Sequence, residues 1–74
     1  MSETVHVGRI LRERRESLHM SLKQVAHEAN MSVRGIEKIE QGDTLPSWKS
    51  FLRISKILNM SIGDYEICLK CYQK

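Results

Sequence analysis

The fold is decided by residues 21–47, SLKQVAHEANMSVRGIEKIEQGDTLPS. Apolar side chains recur in this segment with helical spacing, in two short runs flanked by residues that begin or end helices. Ser21 precedes the first run and Gln24 follows three positions later, which is the pattern of a reciprocal N-terminal cap. Asn30 comes after that run, and asparagine tolerates the left-handed conformation in which many helices end. The pattern predicts a helix that begins at about Leu22, followed by a tight turn.

A second helix is predicted immediately after that turn. Ser32 can cap its start, and Gly42 provides its end. Ile36 and Ile39 form its inner face. Ala26, in the preceding helix, is small enough to allow the two helices to cross closely. The side chains left on the outward face are Val33, Arg34, Glu37, Lys38 and Gln41.

Two more helices are predicted, one on each side of this pair. The first spans about residues 5–18, because its apolar residues repeat every three or four positions. The other follows Pro46, with Ser47 as its cap and Asn59 at its end. The inner faces are predicted to carry Val7, Ile10, Leu11 and Leu18 in the first helix and Trp48, Phe51, Leu52, Ser55 and Leu58 in the other.

A fifth helix is predicted after Ser61, which forms another capping pattern with Asp64. One side of it carries Ile62, Tyr65, Leu69 and Tyr72, and the other carries Ile67, Cys68 and Cys71. This helix therefore has more apolar surface than one core needs, and such a surplus commonly marks an interface. With five helices and no strand-like alternation, the sequence predicts one all-α domain over residues 1–74. Its core is expected over about 8–62, with a C-terminal helix over 63–74.

Composition limits the classes of function. The chain has 74 residues, of which 41% are hydrophobic and 28% charged, as expected for one small globular domain. A net charge of +3 permits a nucleic-acid partner without requiring one. No apolar run approaches the roughly 20 residues of a membrane-spanning helix, and the N-terminus lacks the features of a secretion signal. We therefore expect a cytoplasmic protein.

The central segment resembles the helix-turn-helix of the Cro and phage-repressor type, also called the xenobiotic-response-element family. The anchors of that motif are a small residue, a left-handed turn residue and two aliphatics, which fall here on Ala26, Asn30, Ile36 and Ile39. IEQG at 39–42 and the pair Pro46-Ser47 match what usually follows in the family. The similarity extends over about residues 8–62. It implies a compact five-helix fold whose third helix enters the major groove of DNA.

The resemblance implies base contacts from Val33, Arg34 and Lys38. Arg34 is the strongest candidate, since its planar guanidinium can donate two hydrogen bonds to guanine O6 and N7. Lys38 either reads a base or holds a phosphate, and Val33 can pack on a thymine methyl group. For each of these residues the alternative is an ordinary solvated side chain. The implied phosphate contacts are Ser32, Gln41, Thr44 and Lys23.

Two positions depart from the family pattern. Leu22 stands where the family commonly has a glutamine in contact with a phosphate. Either the backbone amides of Leu22 and Lys23 meet that phosphate, or Leu22 joins the core. Gly35 lies inside the third helix, where glycine costs about 0.8–1 kcal/mol relative to alanine. Either the helix lies very close to the DNA at Gly35, or the helix is weak.

The family also pairs the positions of Arg15 and Glu40 in a partly buried salt bridge, and the alternative is two independent surface charges. Leaving either charge buried alone would cost on the order of 3 to 5 kcal/mol. The pairing therefore predicts that Arg15→Ala destabilises the protein far more than Arg12→Ala.

No catalytic, metal or cofactor site is predicted. Cys68 and Cys71 form a C-x-x-C pair, but zinc needs about four ligands and no second pair exists. The three histidines are scattered singly, and a thiol redox motif normally lies beside a βαβ pattern. We interpret the cysteines as small apolar residues at the core or at a dimer seam. An enzyme is not expected.

The leading hypothesis is a sequence-specific DNA-binding transcriptional regulator. A repressor is favoured over an activator, because no second domain is present to recruit another protein. The family implies a homodimer on an inverted repeat, with an interface in the C-terminal helix. The residues expected in that interface are Tyr65, Ile67, Leu69, Cys71 and Tyr72. Two alternatives remain open: a protein-interaction adaptor that has lost DNA affinity, and the DNA-binding antitoxin of a toxin pair.

Overall fold

Five helices make up the computed structural model, which describes the backbone of residues 3–72 and the side chains of residues 7–61, 63, 64, 66–68 and 70. The helices are α1 (Glu3–Ser17), α2 (Leu22–Ala29), α3 (Val33–Gln41), α4 (Trp48–Ile57) and α5 (Ile62–Tyr72). No strand occurs between residues 3 and 72. The predicted all-α fold is confirmed.

Four of the helices begin at the serine caps that the sequence predicts. In each case the serine Oγ accepts a hydrogen bond from the backbone N–H three residues later, at 3.0 to 3.2 Å. The capping serines are Ser21, Ser32, Ser47 and Ser61. Each bond satisfies a donor that the first turn of a helix leaves unpaired, so the four starting points are set locally.

The helix ends are also set by local conformation. Asn30 and Asn59 adopt left-handed φ angles of 56° and 50°, and Gly42 has φ 85°, as expected for the residues that stop α2, α4 and α3. His19 is left-handed as well, with φ 57°, which the sequence did not indicate. Because α1 ends at Ser17, Leu18 lies in the turn before His19 and remains 38% exposed. Its predicted place on the inner face of α1 is wrong.

The core is a single cluster to which all five helices contribute. Its buried apolar residues are Val7, Leu11, Val25, Ala26, Ala29, Ile36, Ile39, Phe51, Ile54, Leu58 and Cys68. Val7 and Cys68 lie outside the expected core range of residues 8–62, so both ends of the chain add to it. Cys68 was interpreted as a small apolar residue of the core or of a dimer seam, and it is fully buried in the core.

The inner face of α4 differs in part from the prediction. Phe51, Ser55 and Leu58 are buried as expected, and Ile54 is buried with them. Trp48 stays 41% exposed because it lies in the first turn of α4. Its ring stacks on that of Phe51 with centroids 5.4 Å apart. The buried face is therefore rotated toward Ile54, and Leu52 is only half-buried.

Candidate nucleic-acid interface

Helix α3 has two clearly separated faces. Ile36 and Ile39 are 2% and 4% exposed and anchor the helix in the core. Arg34, Lys38 and Gln41 are exposed, and Val33 is an exposed apolar side chain at the start of the helix. Glu37, which was predicted to face outward with them, is half-buried and so less exposed than the others. The outward face is thus basic and polar, with a single apolar contact point.

The three predicted base readers lie on this outward face. Arg34 and Lys38 are four residues apart, so their side chains are neighbours on the surface of the helix. Within the described part of the chain, neither has a carboxylate oxygen within 4.0 Å. Val33, Arg34 and Lys38 are therefore accessible, and both positive charges are available to an anionic partner.

The predicted phosphate contacts surround the same face. Ser32, Gln41, Thr44 and Lys23 are all exposed. The Oγ of Ser32 already accepts the amide hydrogen of Gly35 at 3.0 Å, which leaves its own O–H hydrogen for another acceptor. Thr44 lines a groove of about 250 Å³ together with Gly35, Lys38 and Ser47. Hydroxyl groups and one ammonium group thus meet between α3 and the start of α4.

The structure explains one of the two departures from the family pattern, at Leu22. Leu22 is half-buried and packs against the core cluster, so its side chain has joined the core. Gly35 is also half-buried, and a Cβ added there would lie 3.0 Å from Ser32 Oγ. Gln24, Ser50 and Asp64 occupy the same position after the other three serine caps and carry side chains there, so the cap at Ser32 does not require a glycine.

A bidentate ion pair fastens α3 to α1. Arg15 donates from Nε to Glu40 Oε2 at 2.8 Å and from Nη2 to Glu40 Oε1 at 3.1 Å. A third hydrogen bond runs from Arg15 Nη1 to the carbonyl of Met20 at 2.9 Å. The side chains of Arg15 and Glu40 are 12% and 8% exposed. The hydrogen bonds that Arg15 donates to Glu40 raise the pKa of Arg15, and burial opposes this, so the guanidinium stays charged.

A close helix crossing supports the same attachment. Gly8 of α1 is buried, and a Cβ added there would overlap the carbonyl oxygen of Ile39 and lie 3.0 Å from that of Glu40. Only a residue without a side chain lets the α1 backbone come this close to α3. Gly8 and Arg15 are seven residues apart, so they lie on the same side of α1. Together they hold the C-terminal half of α3.

Sequence reasoning missed the role of Arg14. Its Nε donates to the carbonyl of Leu58 at 2.8 Å and its Nη2 to the carbonyl of Asn59 at 2.9 Å. These are carbonyls at the end of α4, where a cation is favourable to the helix dipole. The sequence gives little indication of this role, because Arg14 lies in a run of charged residues with Arg12 and Arg15.

The expected dimer residues are described only in part. Ile67 is 50% exposed on α5. The side chains of Tyr65, Leu69, Cys71 and Tyr72 lie outside the described residues. Among the side chains that are described, no group of three or more His, Cys, Asp or Glu is arranged to hold a metal ion. No described helix is both long and apolar enough to cross a membrane.

Comparison with known proteins gives one match. A family model described as "Helix-turn-helix" matches residues 11–65, which is most of the chain. That family is a DNA-binding regulatory family and not an enzyme family. No curated protein and no solved structure matches the chain.

Proposed function

As a member of the Cro/C1-type helix-turn-helix family, this chain is a DNA-binding transcription regulator, and we propose that it is a sequence-specific repressor. It inserts α3 into the major groove of double-stranded DNA and binds as a homodimer on an inverted repeat. Such a repressor acts in the cytoplasm, on nucleoid DNA. A dimer bound across an operator excludes other proteins from it, so occupancy alone is enough for repression.

The outward face of α3 is the observation that carries this proposal. Arg34 and Lys38 are exposed and have no carboxylate partner among the described residues, while the isoleucines behind them keep the helix in place. An arginine that is already neutralised by the protein would lose an ion pair on entering the groove. Arg34 loses none, so its two parallel N–H groups remain available for a guanine edge.

Specific and nonspecific contacts come from different residues. Arg34 reads the major-groove edge of a base, and Lys38 does the same where it reaches a base. Val33 packs on a thymine methyl group. Ser32, Gln41, Thr44 and the backbone amide of Lys23 contact phosphates and set the register of α3 on the duplex. Two copies related by a twofold axis place their reading helices about 34 Å apart, one turn of DNA.

Selection of bound sequences from random duplex DNA tests the proposal. The expected result is an enriched palindrome whose affinity falls steeply with salt, at a log–log slope of about −0.9 for each phosphate neutralised. The protein-interaction adaptor predicts no enrichment and no dependence of DNA affinity on salt. That result would refute the proposal.

A pair of variants tests the reading face itself. Arg34→Gln should weaken binding to the selected site by about 1 to 3 kcal/mol and relax the preference at one guanine. Arg53→Gln is the matched control, because Arg53 is also exposed but lies on α4. It removes the same charge and should leave the sequence preference unchanged. Equal loss of preference in both variants would show that α3 is not the reading helix.

A further inference from the structure

Helix α1 is packed against both the reading helix and the C-terminal helix. It crosses α3 closely at Gly8, and it also packs along α5. The position of α5 relative to α3 is therefore determined in large part by how each of these helices is attached to α1.

Two consecutive arginines at the end of α1 point to different sides of that helix. Arg15 is seven residues after Gly8, so it lies on the side of α1 that faces α3, where it holds Glu40. Arg14 is seven residues after Val7, on the side that is buried in the core. The two sides are about 100° apart around the helix axis. Adjacent residues of α1 thus reach two different parts of the molecule.

Arg14 holds the connection between α4 and α5. Its Nε and Nη2 donate to the carbonyl oxygens of Leu58 and Asn59 at 2.8 and 2.9 Å. Residues 58–61 link α4 to α5, so both carbonyls belong to the segment from which α5 starts. A planar guanidinium that makes two hydrogen bonds fixes the orientation of this segment as well as its distance from α1.

The spacing of two half-sites on DNA depends on the same geometry. In a twofold dimer that associates through α5, the separation of the two reading helices is set by where α3 lies relative to α5. One added base pair moves a half-site by about 3.4 Å along the duplex and about 35° around it. A dimer whose α3 and α5 are rigidly connected cannot follow this change, whereas a dimer with a loose connection can.

We propose that Arg14 is a positioning residue that sets the half-site spacing of the operator. It holds the link before α5 against α1, one residue from the ion pair that holds α3, and so joins the reading helix and the C-terminal helix in one rigid frame. The inference rests on the homodimer proposed above, with its interface in α5. Arg14 acts on the distance between the half-sites and not on the bases that are read.

Operators that differ only in their central spacer test this role. The palindrome selected by the wild-type chain is the parent, and one base pair is added to its centre or removed from it. Fluorescence anisotropy gives the ratio of Kd for the altered operator to Kd for the parent. We expect a ratio of about tenfold or more for the wild type, because the DNA must be deformed to bring its half-sites into register. In Arg14→Gln the ratio should be at least about threefold smaller, because the protein then adapts instead of the DNA.

Arg12→Gln is the matched control. Arg12 also lies on α1, but it is 59% exposed, with its Nε 3.4 Å from Glu16 Oε2 on the same helix. The substitution removes the same charge without releasing the link before α5, so the wild-type ratio should persist. Arg14→Lys is the second variant: it keeps the charge and loses the planar fork, so its ratio should lie between those of the wild type and Arg14→Gln. A loss of stability alone would weaken binding to all operators equally and leave the ratio unchanged.

The results separate this inference from the proposed function. A wild-type chain that selects no palindrome would refute both. A wild type that discriminates between spacers, with equal ratios in both Arg14 variants, would keep the homodimer and refute the role of Arg14. A wild type that binds all spacers equally would show that no rigid frame exists. A smaller ratio in Arg14→Gln than in Arg12→Gln would support the inference.

Discussion

Replacing Gly8 with alanine should destabilise the protein, although the same change stabilises an isolated helix. Three glycines lie inside helices of this chain, at positions 8, 35 and 63. On helix propensity alone, each replacement by alanine would gain up to about 1 kcal/mol. The structure reverses the sign at Gly8, because the new Cβ would overlap the backbone carbonyl of Ile39.

The size of the destabilisation depends on which atoms the added methyl group contacts. A backbone carbonyl cannot rotate away, so α1 and α3 must separate by about an ångström to restore a normal contact distance. Overpacking of this kind costs about 1 to 3 kcal/mol, and the upper end applies where the opposing atoms are backbone. After the gain of about 1 kcal/mol from propensity, the net loss is about 2 kcal/mol. For a domain of this size that lowers the melting temperature by roughly 10 °C.

Urea titration followed by circular dichroism measures this loss. Gly63→Ala is the matched control: its Cβ would lie 3.8 Å from Ser61 Oγ, an ordinary van der Waals contact, so its stability should be unchanged or slightly higher. If Gly8→Ala were as stable as wild type, the close approach of α1 to α3 would not exist as described. Gly8 would then not hold α3 against α1.

Three further predictions concern single side chains. Arg15→Ala should lower the free energy of unfolding by about 3 kcal/mol, because it leaves Glu40 unpaired at 8% exposure. Arg12→Ala should lower it by no more than about 0.5 kcal/mol. Equal small losses in denaturant titration would refute the pairing. Arg14→Ala should lower the free energy of unfolding by about 1 to 2 kcal/mol, since the carbonyls of Leu58 and Asn59 lose their donors. It should also selectively speed amide hydrogen exchange at the start of α5. Uniform exchange across all helices would contradict this. Asn30→Ala should cost about 1 to 2 kcal/mol because φ is 56° there, whereas Asn30→Gly should be tolerated; equal stabilities by thermal unfolding would show that the turn does not need a left-handed residue.

The order of the helices and most of their boundaries were predictable from the sequence because they depend on local interactions, and the end of α1 at Ser17 is the exception. A serine cap needs only the amide three residues ahead of it, and Ser21, Ser32, Ser47 and Ser61 all act in this way. The left-handed stops at Asn30, Gly42 and Asn59 depend on the residue's own backbone preferences. The outward face of α3 was predictable for the same reason, since helical periodicity separates Arg34 and Lys38 from Ile36 and Ile39.

Predictions failed where a residue's place depends on another helix. Ile54 is buried and Leu52 half-buried because α4 rotates to pack on its neighbours, a rotation that periodicity leaves undetermined within a few tens of degrees. The sequence left Cys68 open between the core and a dimer seam, and the packing of α5 places it in the core. Leu18 does not lie on the inner face of α1, because the left-handed turn at His19 ends the helix before it.

The amino-acid sequence alone determined five helices, four of which begin at serine caps, a small all-α domain and an outward face on α3 that carries Arg34, Lys38 and Val33. The tertiary structure decided that Gly8 is a contact surface, that Arg14 holds the end of α4, and that Arg9, Glu13 and Ile67 border one groove. The physical reason is the distance along the sequence over which each interaction acts. Caps, turns and periodicity act within one or two helical turns of the chain, whereas a close crossing or a groove exists only after residues far apart in sequence have packed together.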